Sequence, residues 1–188
     1  MKVSEAIEKR WSPRAFSNQE IDRNQMKSLL EAAGTAPSCF NEQPWRYLIG
    51  FKGDDSYNKI MDCLVEFNQN WAKTAPVLMI GVVSKEFARN EKPNPHARHD
   101  LGAATAYLTI QAMEHDIFVH QMAGFSADKA KEKFNIPDSY EAVTAIALGY
   151  IGDSSQLPKD LQDQEKPSRD RKALKEISFE GDWAKSMK

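Results

Sequence analysis

The sequence predicts one domain of mixed helix and sheet, and three observations carry that expectation. Helical and extended segments alternate along the chain from about residue 3 to residue 151. One extended segment, Val77-Leu78-Met79-Ile80-Gly81-Val82-Val83, is apolar without interruption, as a strand covered on both faces must be. With 188 residues, 41% of them hydrophobic and 28% charged, the chain is long enough and apolar enough to bury a sizeable core. On pattern alone the alternation points to a parallel sheet.

The elements follow in order. Val3 to Arg10 reads as an amphipathic helix. Met26, Leu29, Leu30 and Ala33 recur at helical spacing behind Asp22, an N-cap, and Gly34 stops the run. Trp45 to Phe51 is aromatic and β-branched enough for a strand, closed by a Lys52-Gly53-Asp54 turn. Ile60, Met61, Leu64, Val65 and Phe67 mark a further helix. Pro76 then opens the continuous apolar strand, expected at the centre of the sheet. From about His96 to Glu114 apolar residues surround nearly the whole circumference of a helix. Its small residues, Gly102, Ala103, Ala104 and Ala106, let another helix come close, as at a subunit contact. Ile117 to Met122 is a third strand, Ser126 caps a charged helix to Phe134, and Val143 to Ile151 is a fourth strand.

Residues 1–188 are taken as a single domain, with a core over about 1–152 and a C-terminal extension over about 153–188. The extension is polar until Phe179 and Trp183, so it either wraps a partner subunit or is partly disordered. The formal net charge of −2 gives no broad basic surface, which excludes nucleic-acid binding as the expected role. No stretch approaches the roughly 20 apolar residues of a membrane helix. The first residues turn straight into an amphipathic helix without a signal-peptide apolar region. A cytoplasmic protein is expected, with Cys39 and Cys63 as reduced thiols.

Against that acidic background, Lys9-Arg10-Trp11-Ser12-Pro13-Arg14-Ala15-Phe16 stands out as an anion receptor. Guanidinium groups offer rigid forks of donors that match a phosphate, and Ser12 adds a neutral donor beside them. The plainer reading is a basic turn at a helix C-terminus, where cations are favoured anyway. Lys166-Pro167-Ser168-Arg169-Asp170-Arg171-Lys172 repeats the Arg-x-Arg pattern far away in sequence, and the two clusters can converge in space. A third segment, Ala36-Pro37-Ser38-Cys39-Phe40-Asn41-Glu42-Gln43-Pro44-Trp45, is dense in neutral donors and acceptors and stiffened by proline at both ends. The amides of Asn41 and Gln43 suit a heterocycle edge that presents alternating carbonyl and N–H groups; the plainer reading is a turn satisfying its own backbone.

Arg10-x-Ser12-x-Arg14, Pro37-Ser38-x-x-Asn41-x-Gln43-Pro44-Trp45, and Ala147-Leu148-Gly149-Tyr150 followed by Arg169-x-Arg171 together resemble the nitroreductase family of FMN-dependent oxidoreductases. The resemblance runs over nearly the whole chain. It implies an α+β fold, a three-layer α/β/α sandwich with a mostly antiparallel sheet, and that expectation replaces the parallel one. It also implies a homodimer with FMN at the interface and the C-terminal tail extending onto the partner subunit. Arg10, Ser12 and Arg14 would contact the phosphate, ribityl chain and pyrimidine side of FMN, with Arg169 and Arg171 joining at the phosphate. Ser38, Cys39, Asn41 and Gln43 would line the flavin, the first three reaching across from the other subunit. Trp11, Pro37, Ala123 and Gly124 complete the set, Gly124 permitting backbone to approach the ring. Many relatives carry a glutamate where this chain has Ala123; the resemblance still implies a backbone contact to the flavin there but gives no ground for side-chain tuning.

The implied chemistry is hydride transfer from NADH or NADPH to flavin N5, then to a small oxidised acceptor such as a nitroaromatic or quinone, in ping-pong order. No catalytic acid–base pair is then required, and Arg14 is the candidate for tuning the flavin. The chain is short for the family, which implies a more open site. The alternatives are a flavin-binding protein that stores or senses FMN without turnover, and a cofactor-free interaction domain on the same fold.

Other features take plainer readings. His96 and His99 share a helix face but lack further ligands for zinc. Cys39 has no neighbouring cysteine or cation to activate it, and Cys63 reads as core packing. Asp128 to Lys133 is a solvated helix face, and Trp71 is packing. Trp183 could anchor on a partner subunit. No GxGxxG fingerprint occurs, which suits a nicotinamide that visits and leaves.

Overall fold

The computed structural model describes residues 2–166 and 170–187. Four strands, β1 (Trp45–Phe51), β2 (Val77–Ser84), β3 (Phe118–Met122) and β4 (Tyr140–Gly149), form one sheet in the order β1-β2-β4-β3. Every neighbouring pair is antiparallel.

The alternation of helix and strand misleads about strand direction for two reasons. The segment read as one helix from Ile60 to Phe67 is two, α3 (Asp55–Cys63) and α4 (Glu66–Ala72), broken by extended backbone at Leu64 and Val65. Two helices carry the chain out and back, so Val77 starts opposite Phe51 and β2 runs against β1. The second reason lies in α5 (Ala97–Met113), a single helix that crosses from β2 to β3 as in a parallel unit. β4 then inserts between those two strands and runs against both.

β2 lies inside the sheet as expected, and its period-two alternation feeds two cores. Leu78, Ile80 and Val82 join Ile60, Trp71, Ala130, Ala145 and Ala147 under α3, α4 and α6 (Ala127–Phe134). Val77, Met79 and Val83 join Leu29, Leu101, Leu108, Ile146 and Leu148 under α5 and α2 (Arg23–Gly34). Helices thus cover both faces, which gives the three-layer sandwich. Each fully buried Leu or Ile contributes about 1.5–3 kcal/mol by leaving water.

Local signals explain the helix starts. The Asp22 carboxylate accepts from the backbone N–H groups of Asn24 and Gln25 while the Gln25 side chain accepts from Asp22 N–H, a full capping box. Ser126 Oγ accepts from Lys129 N–H at 3.2 Å and starts α6. The first helix, α1 (Glu5–Lys9), is shorter than the sequence suggests because Arg10 is already extended. β4 begins earlier than expected and ends at Gly149; Ile151 instead bridges to Phe16, and the backbone of Ser17 bonds Tyr150. These contacts seat the N-terminal turn beside the sheet.

Beyond residue 152 the chain forms a 3-10 turn (Ser154–Gln156), α7 (Lys159–Gln162) and α8 (Leu174–Ile177). Leu157 and Leu161 are buried in the domain's own core, so this stretch packs at home. α8 and Trp183 are exposed. Among the described residues no helix is long and apolar enough to cross a membrane.

Candidate functional site

After α1 the chain leaves the helix at an extended Arg10; Ser12 is exposed, Arg10, Trp11 and Arg14 are half-buried, and Pro13, Ala15 and Phe16 are buried. Trp11 packs edge-on against Phe118, with ring centroids 6.3 Å apart. The Pro13 carbonyl accepts a hydrogen bond from His120 Nδ1 at 2.8 Å. Burial lowers the His120 pKa, the nearby Arg14 charge lowers it further, and the Pro13 bond and Glu165 pull it back. Glu165 holds the same turn from the other side: one carboxylate oxygen accepts from Arg14 N–H at 2.6 Å and Ala15 N–H at 2.8 Å.

Two adjoining clefts open on this turn and share Arg10 and Ser12. The larger, of about 490 Å³, is walled by Ile7, Ala106, Ile110 and Val119, with Thr109 and Gln121 as its polar groups. The smaller, of about 230 Å³, is lined by Trp11, Gln164, Lys166 and Arg171. The two basic segments, distant in sequence, thus meet at one cleft through Arg10, Lys166 and Arg171. Arg169 lies outside the described residues. Another cavity, of about 420 Å³, lies between residues 18–23 and Phe51–Pro76 and contains none of the predicted residues.

The loop Pro37–Gln43 does not line these clefts within the same chain. Phe40, Asn41 and Gln43 have φ of 52°, 57° and 47°, left-handed values that cost of order 1–3 kcal/mol each for such residues. The loop is held there by Cys39 N–H on Asp100 Oδ2 at 3.0 Å, by Gln43 N–H on Ser38 Oγ at 3.0 Å, and by Ala88 N–H on Glu42 Oε2 at 2.7 Å. The Arg89 guanidinium lies 3.5 Å from the centre of the exposed Phe40 ring. Asp100 anchors the loop at the first turn of α5, whereas the apolar cleft lies further along that helix at Ala106 and Ile110.

The loop after β3 reaches the site differently. Gln121 lines the apolar cleft, and Ala123 is exposed. A Cβ at Gly124 would lie 2.5 Å from Asn68 Nδ2 and 2.9 Å from the Val65 side chain. Packing against α4 therefore explains this glycine, whose carbonyl accepts from Val65 N–H and Asn68 Nδ2.

Sequence reasoning missed the residues that join these pieces. Asn68 Oδ1 accepts from Trp71 Nε1 at 3.2 Å, Trp71 stacks on His120 with centroids 4.6 Å apart, and His120 bonds Pro13. A continuous path thus runs from Gly124 to the Arg10–Arg14 turn. Nothing local marks His120 or Asn68 as part of the site, because the partners that tie them to it, Pro13 and Trp71 for His120 and Gly124 for Asn68, lie tens of residues away. Cys63 fits the packing role: its thiol donates to Lys59 O, and burial pushes its pKa up.

A sequence model of the Nitroreductase family matches residues 7–62 and 51–150. A crystal structure of an FMN-containing oxidoreductase superposes with a TM-score of 0.92 at 34% identity, over 99% of this chain and 95% of that one. The FMN- and NADPH-dependent nitroreductase NfnB from Sphigopyxis sp. strain HMH shares the fold, with a TM-score of 0.75 at 17% identity over 96% of this chain and all of that one. Mouse (Mus musculus) iodotyrosine deiodinase 1 is 27% identical over 129 residues, which cover 54% of this chain and 44% of that protein, so the likeness spans under half of its length. With its antiparallel sheet between two helical layers and a family match across most of its length, the chain belongs to the nitroreductase family.

Proposed function

We propose that this protein is an FMN-dependent oxidoreductase that takes electrons from NADH or NADPH and reduces a small oxidised acceptor such as a nitroaromatic or a quinone. The observation that carries the reading is the shared edge of the two clefts at Arg10 and Ser12. A planar heterocycle with a phosphate arm needs an apolar slot joined to a cationic one, and this chain has both at one turn.

The residues fit the cofactor. Arg14 Nε is buried without a hydrogen-bond partner, a donor at the turn whose bonding is unmet, although Arg14 lines neither cleft. Arg10, Lys166 and Arg171 would hold the phosphate by charge-assisted bonds. Ser12 and Gln121 would serve the ribityl chain and ring edge, and Arg14 would place positive charge near the electron-rich pyrimidine. Ala106, Ile110 and Val119 would keep water from the ring. When bound, FMN supplies the hydride-transfer chemistry, which accounts for a site without an acid–base pair.

A homodimer completes the site in this reading. Gly102, Ala106 and Tyr107 leave an exposed strip on α5 where a second copy of the helix can approach. Pairing α5 across a two-fold axis would bring the Asp100 end of one copy to the Ala106–Ile110 stretch of the other. Ser38, Cys39 and Asn41 would then reach the partner's cleft, with Pro37 and Gln43 in the same loop. A cytoplasmic setting, where reduced nicotinamides are supplied, suits this activity.

The test is spectroscopic. FMN-loaded protein mixed anaerobically with NADH or NADPH is expected to lose its yellow absorbance and regain it on adding a nitroaromatic or quinone. A bound chromophore that neither nicotinamide bleaches would sink the enzyme reading and leave a flavin-binding protein.

A further inference from the structure

We infer that Glu165 is a positioning residue for the phosphate arm of the cofactor, latching the segment that carries Lys166 and Arg171 onto the turn that carries Arg10 and Ser12. The inference rests on the proposed reading of the cationic cleft as a phosphate site.

Four observations support it. One Glu165 oxygen takes two N–H groups from adjacent residues, Arg14 and Ala15, across about 150 residues of chain. The other oxygen is buried without a hydrogen-bond partner, so the side chain is committed to this spot despite an incomplete set of bonds. The next residue, Lys166, and nearby Gln164 and Arg171 line the cleft with Arg10 and Ser12. Upstream, buried Leu161 and the Gln162 amide bonded to Leu157 O fix the approach of the segment to Glu165.

A carboxylate beside three cations would weaken phosphate binding if it only added negative charge. Its oxygen is instead taken up by two backbone donors of the turn. The benefit is geometric: the arginines from the two ends of the chain stand ready around one anion, and little ordering is left to binding.

The test compares FMN with riboflavin, which differs only in lacking the phosphate, on the full-length protein. Glu165→Ala is expected to lower FMN affinity about tenfold, the scale of a hydrogen bond to a charged group, and riboflavin affinity by clearly less, since the walls of the apolar cleft stay in place. Glu165→Gln, which keeps an acceptor oxygen, is expected to recover most of the loss. Equal losses for both flavins, or unchanged FMN binding, would overturn the latch. Should Glu165→Ala not fold, the cycle of Glu165→Asp, whose carboxylate is one methylene too short to reach the turn, with Arg171→Ala decides: losses that fail to add support the latch, and additive losses overturn it. A parent protein that binds riboflavin as tightly as FMN would instead overturn the phosphate-cleft reading itself.

Discussion

Cys39 donates its backbone N–H to the Asp100 carboxylate across 3.0 Å, and that bond fixes the polar loop of Ser38, Asn41 and Gln43 to the first turn of α5. Asp100 is 3% exposed, and its other oxygen faces His99 Nδ1 at 3.1 Å. The loop carries three left-handed non-glycine residues, so its shape depends on such ties.

Asp100→Ala is therefore expected to lower stability by about 1–3 kcal/mol, the cost of leaving a half-buried N–H unpaired, and to lower FMN-dependent reductase activity with it. Asp100→Asn keeps an acceptor and should lose less of both. Thermal unfolding and steady-state rates on the two variants check this. Equal behaviour of Ala and Asn would show that the Cys39 bond does not hold the loop.

Arg10→Ala and Arg171→Ala are each expected to weaken FMN binding by about ten- to a hundredfold, since each removes a charge-assisted contact to the phosphate. The gap between parent and variant should narrow as salt is raised, because exposed charges are screened within about 10 Å at 0.1 M ionic strength. Fluorescence titration of FMN at several salt concentrations reads both effects. Unchanged affinity in both variants would remove the anion site from this cleft.

How much of this was legible in the sequence depends on how local each signal is. Asp22 and Ser126 marked helix starts because a cap and its partners lie within three residues. The apolar run of β2 marked an interior strand because burial on both faces leaves no polar position. The break at Leu64 and Val65 was invisible, since both residues suit a helix and the break is held by backbone contacts with the remote Gly124 and Phe125. Strand direction failed for the same reason, as it depends on β4 entering between β2 and β3. In the candidate site, the meeting of the Arg10–Ser12 turn with Arg171 at one cleft was readable from charge and spacing. Glu165, His120, Trp71 and Asn68 were not, because each acts through a partner from another part of the chain.

Tyr57 gives a prediction in alkali. Its hydroxyl donates to Ala75 O at 2.8 Å, and burial pushes its pKa from the ordinary 10.0 up to about 12. The folded protein holds this proton more tightly than the unfolded chain does. The contribution to stability is thus complete below the unfolded value of 10.0 and is lost as pH rises toward about 12. Tyr57→Phe should lower stability at neutral pH by about 1 kcal/mol, the net value of one hydrogen bond. It should also flatten the alkaline decline. Denaturant unfolding of parent and variant across that range, followed by circular dichroism, measures both; parallel curves would show that Tyr57 does not control alkaline stability.

Leu174 is 70% exposed and Trp183 88% exposed, and Trp183 touches Phe179 with ring centroids 5.0 Å apart. Apolar groups left in water contribute little to the fold of their own chain, and large aromatics of this kind dominate contact energies between chains. A protein ending at Lys172 keeps Leu157, Leu161 and Glu165, so its core and the turn at Arg14 remain intact. Its denaturant unfolding should therefore match the parent at concentrations where both are monomeric. Self-association should weaken by about thirtyfold or more if Trp183 anchors on the partner subunit, the scale of a hot spot of about 2 kcal/mol. Sedimentation over a concentration series separates the two effects. Undiminished dimerisation of the shortened chain would place the whole interface on α5 and leave the tail no part in it.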